Sequence, residues 1–484
     1  MTEHLKLKLN DSKLFRWSAL VIVSFTMMCG YFVTDVMAPL EDLLTTKGQV
    51  VYYADGSFDK VENAQAVTTV KPVDCKLDGL GWSSTEYGFF TGAYGYFNVF
   101  LLMLLFGGII LDKMGVRFTG TLSSILMFGG ALIKYWAISP YFFLQGTLFG
   151  MTYQVLFAAL GFAIFGVGAE ITGITVSKVI VKWFTGHELA LAMGLQVAMA
   201  RIGTGIALGF SLPLAKTMGH LSMPVLLGVV FLCVGFLVYL VYCVMDKKLD
   251  ASQAASVTEN DEDKFKISDI KFIITNKGFW LITFLCLLFY SGVFPFLKFA
   301  VKVMIYKYNV EPGLAGYIPM MLPFGCILLT PLFGSLYDRV GKGATLMVIG
   351  SIMLVFVHLL FTLPILQYWW FALILIIVLG VAFSLVPSAM WPSVPKIIPQ
   401  KQLGSAYSLI FYIQNIGLSM VPLLIGWVID TFAKSTKNGV VSYDYTIPLS
   451  IFMIFGILSV GVALLLKRED RIKQYGLEEA NMKK

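Results

Sequence analysis

Charge is what this sequence has least of. Of 484 residues only 13% are Asp, Glu, Lys or Arg, about half of the roughly 25% of an average soluble chain. That scarcity excludes a soluble enzyme and a disordered chain, and it leaves no basic patches for tracking nucleic-acid phosphates. The ten-residue alternation that builds a membrane β-barrel is missing as well. The six cysteines form no CxxC or His/Cys cluster, so a metal site has no ligand set. Five of them (Cys29, Cys233, Cys243, Cys286, Cys326) lie in or beside apolar runs, and Cys75 stands alone in a hydrophilic stretch. No nucleophile–base constellation and no cofactor motif occurs, so neither catalysis nor a bound cofactor is expected. The first 16 residues are polar and carry Lys6, Lys8, Lys13 and Arg16, without the immediate apolar core of a cleavable signal.

Apolar and aromatic residues fill the space that charge leaves. The chain is 57% hydrophobic, with 45 Gly, 39 Phe and 22 Tyr, and its mean hydropathy is +0.79. Glycine and interfacial aromatics are common where helices pack in lipid. A spanning helix needs about 20 apolar residues. That window predicts an all-α membrane protein with twelve spans near 17–40, 84–111, 118–138, 155–183, 188–215, 221–245, 278–305, 313–337, 342–362, 368–391, 402–430 and 446–467. The stretch Tyr141–Thr152 is apolar but too short to cross; it extends the third helix, begins the fourth, or lies at the interface.

Two hydrophilic segments punctuate the runs. Residues 41–83 hold Glu41, Asp42, Asp55, Asp59, Glu62, Asp74 and Asp78, and residues 246–277 hold six lysines from Lys247 to Lys277. Lysine-rich segments stay on the cytoplasmic side. The expected division is therefore a cytoplasmic tail 1–16, a six-helix bundle 17–245 with an external loop 41–83, a cytoplasmic linker 246–277, a second bundle 278–467 and a cytoplasmic tail 468–484. On this pattern the net charge of +7 requires no acidic partner. The triplet Asn10-Asp11-Ser12 lies in the tail, so the outer loop offers no glycosylation acceptor.

The sequence repeats itself across the two halves. Gly108-Ile-Ile-Leu-Asp112-Lys113-Met-Gly115-Val-Arg117 follows the second span, and Gly334-Ser-Leu-Tyr-Asp338-Arg339-Val-Gly341 follows the eighth. Gly108 and Gly334 are expected to let helices approach where the halves meet. Asp112 and Asp338 can accept from a helix N-terminus or a basic side chain, with Arg117 and Arg339 beside them, as a conformational latch. Gly115 and Gly341 suit a tight turn. A weaker echo aligns Leu189, Ala192, Arg201 and Gly203 with Leu403, Ala406, Asn415 and Gly417.

Charges inside spans are costly and mark function. Asp35 falls in the first span, Glu170 in the fourth, Arg201 in the fifth, and Lys298 and Lys302 four apart on one face of the seventh. Asp35 caps or lies near the outer end, or else faces the cavity. Lys302 suits snorkelling to the outer surface as well as ligand binding, and Lys178 and Lys182 suit snorkelling to the inner one. Glu170 and Arg201 have two readings: a structural pair between helices, or opposite charges facing a central cavity. In the second half Trp391-Pro392 is expected to break the tenth span, with Trp391 as interface anchor or site residue, while Tyr407, Gln414 and Asn415 lie on the eleventh. His358 is the one mid-membrane histidine, and a core hydrogen bond suits it better than a proton relay.

The paired loop signature resembles that of the major facilitator superfamily, which implies two pseudo-symmetric six-helix bundles and alternating access around a midplane site. Gly168-Ala-Glu170, then Lys182-Trp183-Phe184-Thr-Gly186-His-Glu188-Leu189, then Gly194-Leu-Gln196-Val-Ala-Met-Ala-Arg201-Ile-Gly203, resemble its lysosomal dipeptide-uniporter branch. So do Trp391-Pro392 and the run from Pro399 through Tyr407 to Gly417. The resemblance implies that Glu170 and Arg201 line a dipeptide site, with Trp391, Tyr407 and Asn415 from the other half and Asp35 matching an acid of the first span. Lys298 stands where the branch has a small residue, and 141–154 look like added length. The unglycosylated loop points to a bacterial inner-membrane relative without an accessory glycoprotein, the alternative being a lysosomal one. A monomeric carrier of dipeptides or other zwitterions, by uniport or with protons, is the expectation. An organic-anion carrier, with Arg201 and Lys298 on the anion and Glu170 or Asp35 on the proton, remains open, as does a non-transporting nutrient sensor.

Overall fold

The structure, a computed structural model, describes residues 11–61, 72–184, 189–253, 273–399, 403–437 and 440–480. Within them eleven helices are long and apolar enough to cross a membrane, and a bent pair makes twelve. They are α1 (Lys13–Asp35), α2 (Ser84–Phe100 with Met103–Leu111), α3 (Lys113–Ile138), α4 (Tyr153–Phe184), α5 (Leu189–Met218) and α6 (Met223–Gln253), then α7 (Lys277–Tyr308), α8 (Pro312–Val340), α9 (Gly343–Thr362), α10 (Trp369–Ile397), α11 (Leu403–Val428) and α12 (Thr446–Lys473). Long apolar runs become helices in lipid because the backbone must satisfy its own hydrogen bonds there. In the first half α1 packs on α5 and α6, and α3 on α4; in the second, α7 packs on α11 and α12, and α8 on α10. The halves meet where α2 lies on α11 and α5 on α8.

Sequence punctuation explains most of the breaks. Gly115 and Gly341 adopt φ of 76° and 74°, a region open to glycine at little cost, and they turn the chain at equivalent places of the two halves. Leu102 takes a left-handed φ of 55° where α2 bends by 59°. The expected break at Trp391-Pro392 does not occur: α10 runs on to Ile397 with Pro387, Pro392 and Pro395 inside it. Proline leaves the carbonyl four residues earlier without its amide, and the Trp391 carbonyl, orphaned by Pro395, accepts the Tyr407 hydroxyl at 3.1 Å.

One expectation about a loop is corrected, and the alternatives for another are narrowed. Residues 41–83 are not simply a solvated loop. Glu41 and Asp42 are buried in a short helix, and β1 (Gln49–Tyr53) forms an antiparallel sheet between β2 (Phe58–Val61) and β3 (Val73–Asp78). Val50 and Val51 of β1 are fully buried, as its Val-Val-Tyr-Tyr sequence suits. The stretch 141–152 belongs to neither adjoining span. It holds a two-stranded hairpin, β4 (Thr147–Leu148) with β5 (Met151–Thr152), beside Trp136, whose ring packs edge-on against Phe142 and Phe143. The three-stranded sheet and the hairpin of β6 (Lys434–Lys437) and β7 (Val440–Tyr443) mark one end of the molecule, here the loop end. Gln253 and Lys277 mark the opposite, linker end; most of the linker between them lies outside the described residues.

Candidate functional site

A cavity of about 1400 Å³ lies between the halves. It runs from Tyr31, Thr34 and Tyr94 in mid-protein to Gly108, Lys178 and Ile274 toward the linker end. Glu170 of α4 lines it, facing Trp391 of α10 and Tyr407 and Phe411 of α11. The Tyr94 hydroxyl, a neutral donor, bonds Glu170 Oε1 at 2.9 Å. Asn415 is buried, its Nδ2 donating to the Phe411 carbonyl. Trp391 is no interface anchor: its Nε1 donates to the Tyr290 hydroxyl at 3.1 Å and its ring stacks on Phe411.

Arg201 and Glu170 do not form the structural pair that was one reading of them. The half-buried guanidinium is caged by Tyr31, Phe294 and Phe383, with ring centroids at 5.6, 5.4 and 5.2 Å. Aromatic faces hold a cation without consuming its donors. Among the described residues Arg201 has no hydrogen-bond or ion-pair partner.

The other expected site charges are committed elsewhere. Lys298 is paired here across the halves: its Nζ donates to Asp35 Oδ1 at 2.6 Å and to the Thr34 carbonyl at 2.8 Å. Lys302 does not snorkel either. It is 1% exposed and bonds Glu41 at 3.2 Å and Thr45 at 2.9 Å. One turn further, Tyr306 donates to Asp42, which also pairs with Lys60 of β2. Burial pulls the Lys60 ammonium below the usual lysine range, against the opposing pull of Asp42. Positions 298, 302 and 306 share one face of α7 because helical neighbours recur every four residues; that face closes on the end of α1 from the opposite half. Asp430 adds a second closure, accepting from the Ser84 and Thr85 amides at the start of α2.

At the linker end the picture reverses. A Cβ added at Gly108 or Gly334 would meet nothing within 4 Å, so the expected close approach is not present: α2 and α11 have parted there, and Gly108 lines the cavity. Lys182, expected to snorkel, instead bridges Asp246 at 2.8 Å and Asp250 at 2.6 Å, and Arg117 pairs with Asp250 at 2.9 Å. These bonds stay inside the first half. The Asp112 side chain lies outside what is described, as do residues 185–188 and 400–402 of the resembling stretches; Arg339 is exposed. His358 is a core group, its Nε2 bonded to the Gly292 carbonyl at 2.8 Å.

Tyr94, Tyr290, Glu41, Asp42 and Asp430 were not singled out from sequence. The spacing of Lys298, Lys302 and Tyr306 was a usable signal for the ladder; nothing local marks its acidic partners.

The arrangement of helices agrees with what known proteins show. The model of the Major Facilitator Superfamily matches residues 20–422 and 300–481. The chain belongs to that superfamily. Among curated superfamily members it is 30% identical to the lysosomal dipeptide transporter MFSD1 of Gallus gallus over 56% of this chain and 62% of that one, which is less than two thirds of the relative's length. It is 26% identical to the protein of the same name from Homo sapiens, over 78% of this chain and 77% of that one. Solved superfamily folds that superimpose include the nucleoside transporter NupG, with a TM-score of 0.64 at 14% identity, over 94% of this chain and 99% of that chain. The inward open conformation of the xylose transporter XylE from E. coli does so with a TM-score of 0.63 at 13% identity, over 94% of this chain and 96% of that chain. At those identities the likeness is one of fold. The protein is thus a multi-pass membrane member of a transporter superfamily.

Proposed function

We propose that this protein is a carrier, not an enzyme, that moves small zwitterionic peptides, dipeptides foremost, by alternating access. One observation carries the reading. Glu170 lines the cavity and Arg201 lies behind its Tyr31 wall, and among the described residues the two are uncommitted to each other, Glu170 bonded to the Tyr94 hydroxyl and Arg201 caged by aromatic faces. A dipeptide presents an ammonium and a carboxylate. Arg201 can take the carboxylate through two parallel N–H donors, Glu170 the ammonium, and Trp391 and Tyr407 the apolar body between them. The likeness to relatives named as dipeptide transporters supports this choice over organic anions.

In this reading the protein is a monomer, with or without proton coupling, in a bacterial inner membrane or, alternatively, a lysosomal one. Both tails and the linker are cytoplasmic, and the sheet of 41–83 is external. The bundles divide at 17–245 and 278–467. Lys298 and Asp35 act as a gate above the site. Asp112, Arg117, Asp338 and Arg339, with Gly108 and Gly334, latch the linker end when it closes. Uptake into proteoliposomes tests the proposal: dipeptides should be transported and should compete with one another, and monocarboxylates should compete poorly. Monocarboxylates outcompeting dipeptides would favour the organic-anion carrier; ligand binding without uptake would favour a sensor.

A further inference from the structure

Lys134 is a buried charge that the proposed mechanism leaves unused. It lies in α3, is fully buried, and donates to the Val33 carbonyl at 2.8 Å. Phe162 and Phe165 of α4 cover the ammonium at 4.6 and 5.7 Å. A lysine so completely buried in a membrane-spanning bundle is costly and marks a functional site. A backbone carbonyl could be satisfied by any neutral donor.

Its surroundings suggest the function. The last carbonyls of a helix have no amide partners of their own. At the end of α1, Val33 is served by Lys134 and Thr34 by Lys298. Two ammonium groups from opposite halves therefore hold consecutive carbonyls, beside the carboxylate of Asp35. Lys134, Lys298 and the Asp35 carboxylate thus gather at the last two carbonyls of α1, with Lys298 bonded to that carboxylate. Asp35 and Lys134 belong to the same half, whereas Lys298 belongs to the other and must leave when the loop end parts.

We propose that Lys134 is a positioning residue that succeeds Lys298 as counter-charge to Asp35 when the loop end opens. The carboxylate then exchanges one ammonium for another and is never stranded in the bundle, where a lone charge is costly. The inference rests on the alternating-access reading, but its test needs no substrate.

The experiment measures loop-end distances by electron paramagnetic resonance, with nitroxides on ketone-bearing residues introduced at Met218 of α5 and Phe432 beyond α11. Lys134→Gln keeps a donor for Val33 and removes the charge. It should deplete the loop-end-open population by at least about tenfold, while Lys134→Arg should retain it. In an Asp35→Asn background the same Lys134→Gln change should have no such effect. A Lys134→Gln distribution equal to that of the wild type would overturn the proposal, as would an effect that persists with Asp35→Asn or a wild type that never opens at this end. Failure of dipeptide uptake in wild-type proteoliposomes would instead count against the carrier reading.

Discussion

At the loop end the two halves are joined by charge and close backbone contact, whereas at the linker end Gly108 faces open space and Arg117 and Lys182 pair inside the first half. Lys298–Asp35, Lys302–Glu41 and Asp430 on the α2 amides all cross between halves. Arg117 and Lys182 find their acids within their own half. A Cβ on Gly92 would strike the Ser419 carbonyl of α11, while one on Gly108, lower on the same α2, would meet open space. One helix pair is thus sealed at one end and apart at the other, as a carrier caught open on one side requires. The ion pairs among the crossing contacts suit a reversible closure: a buried ion pair contributes little net stability over an apolar contact, so it closes an interface without locking it.

The largest effect expected from breaking this contrast is at Lys302. Lys302→Met strands Glu41 in a buried site and should cost about 3–5 kcal/mol, seen as a lowered melting temperature of purified protein. Adding Glu41→Gln should recover most of the loss. A smaller, sharper contrast comes from α2. Gly92→Ala overpacks the α2–α11 contact and should destabilise the loop-end-closed form by about 1–3 kcal/mol. Gly108→Ala meets no neighbour and should leave the melting temperature nearly unchanged, within about 0.5 kcal/mol. Equal effects at the two glycines would mean that the ends do not differ as described.

Much of this was legible in the chain because it is local. Apolar runs of spanning length locate the helices, and the two Gly-x-x-x-Asp loops locate equivalent turns at Gly115 and Gly341. Glu170 stands out as an acid between Gly168 and Gly173 in an otherwise apolar run. What was not legible is pairing across the halves. Glu41 and Asp42 sit among other charges and read as the start of a solvated loop; only the fold shows that Lys302 and Tyr306 descend on them. Lys134 lies near the end of its span, where snorkelling is the ordinary fate of a lysine, so nothing near it in sequence signals a burial made by α1 and α4. Lys298 looked available for substrate for the same reason, because its partner lies 263 residues away. Glycines such as Gly108 have the spacing of a contact, but which end of the helix pair is closed depends on the conformation.

The central claim is that Arg201 and Glu170 hold opposite ends of a zwitterion. Ligand-induced thermal stabilisation, measured with a free, a C-amidated and an N-acetylated dipeptide on wild type, Arg201→Ala and Glu170→Ala, tests it most directly, because a ligand bound to the native state raises stability by mass action. Each substitution should weaken binding of the free dipeptide by about a hundredfold or more. The amidated peptide should bind wild type and Arg201→Ala alike, and the acetylated peptide should bind wild type and Glu170→Ala alike. Two variants that are less stable without ligand, and that fail to discriminate between the blocked peptides, would contradict the account.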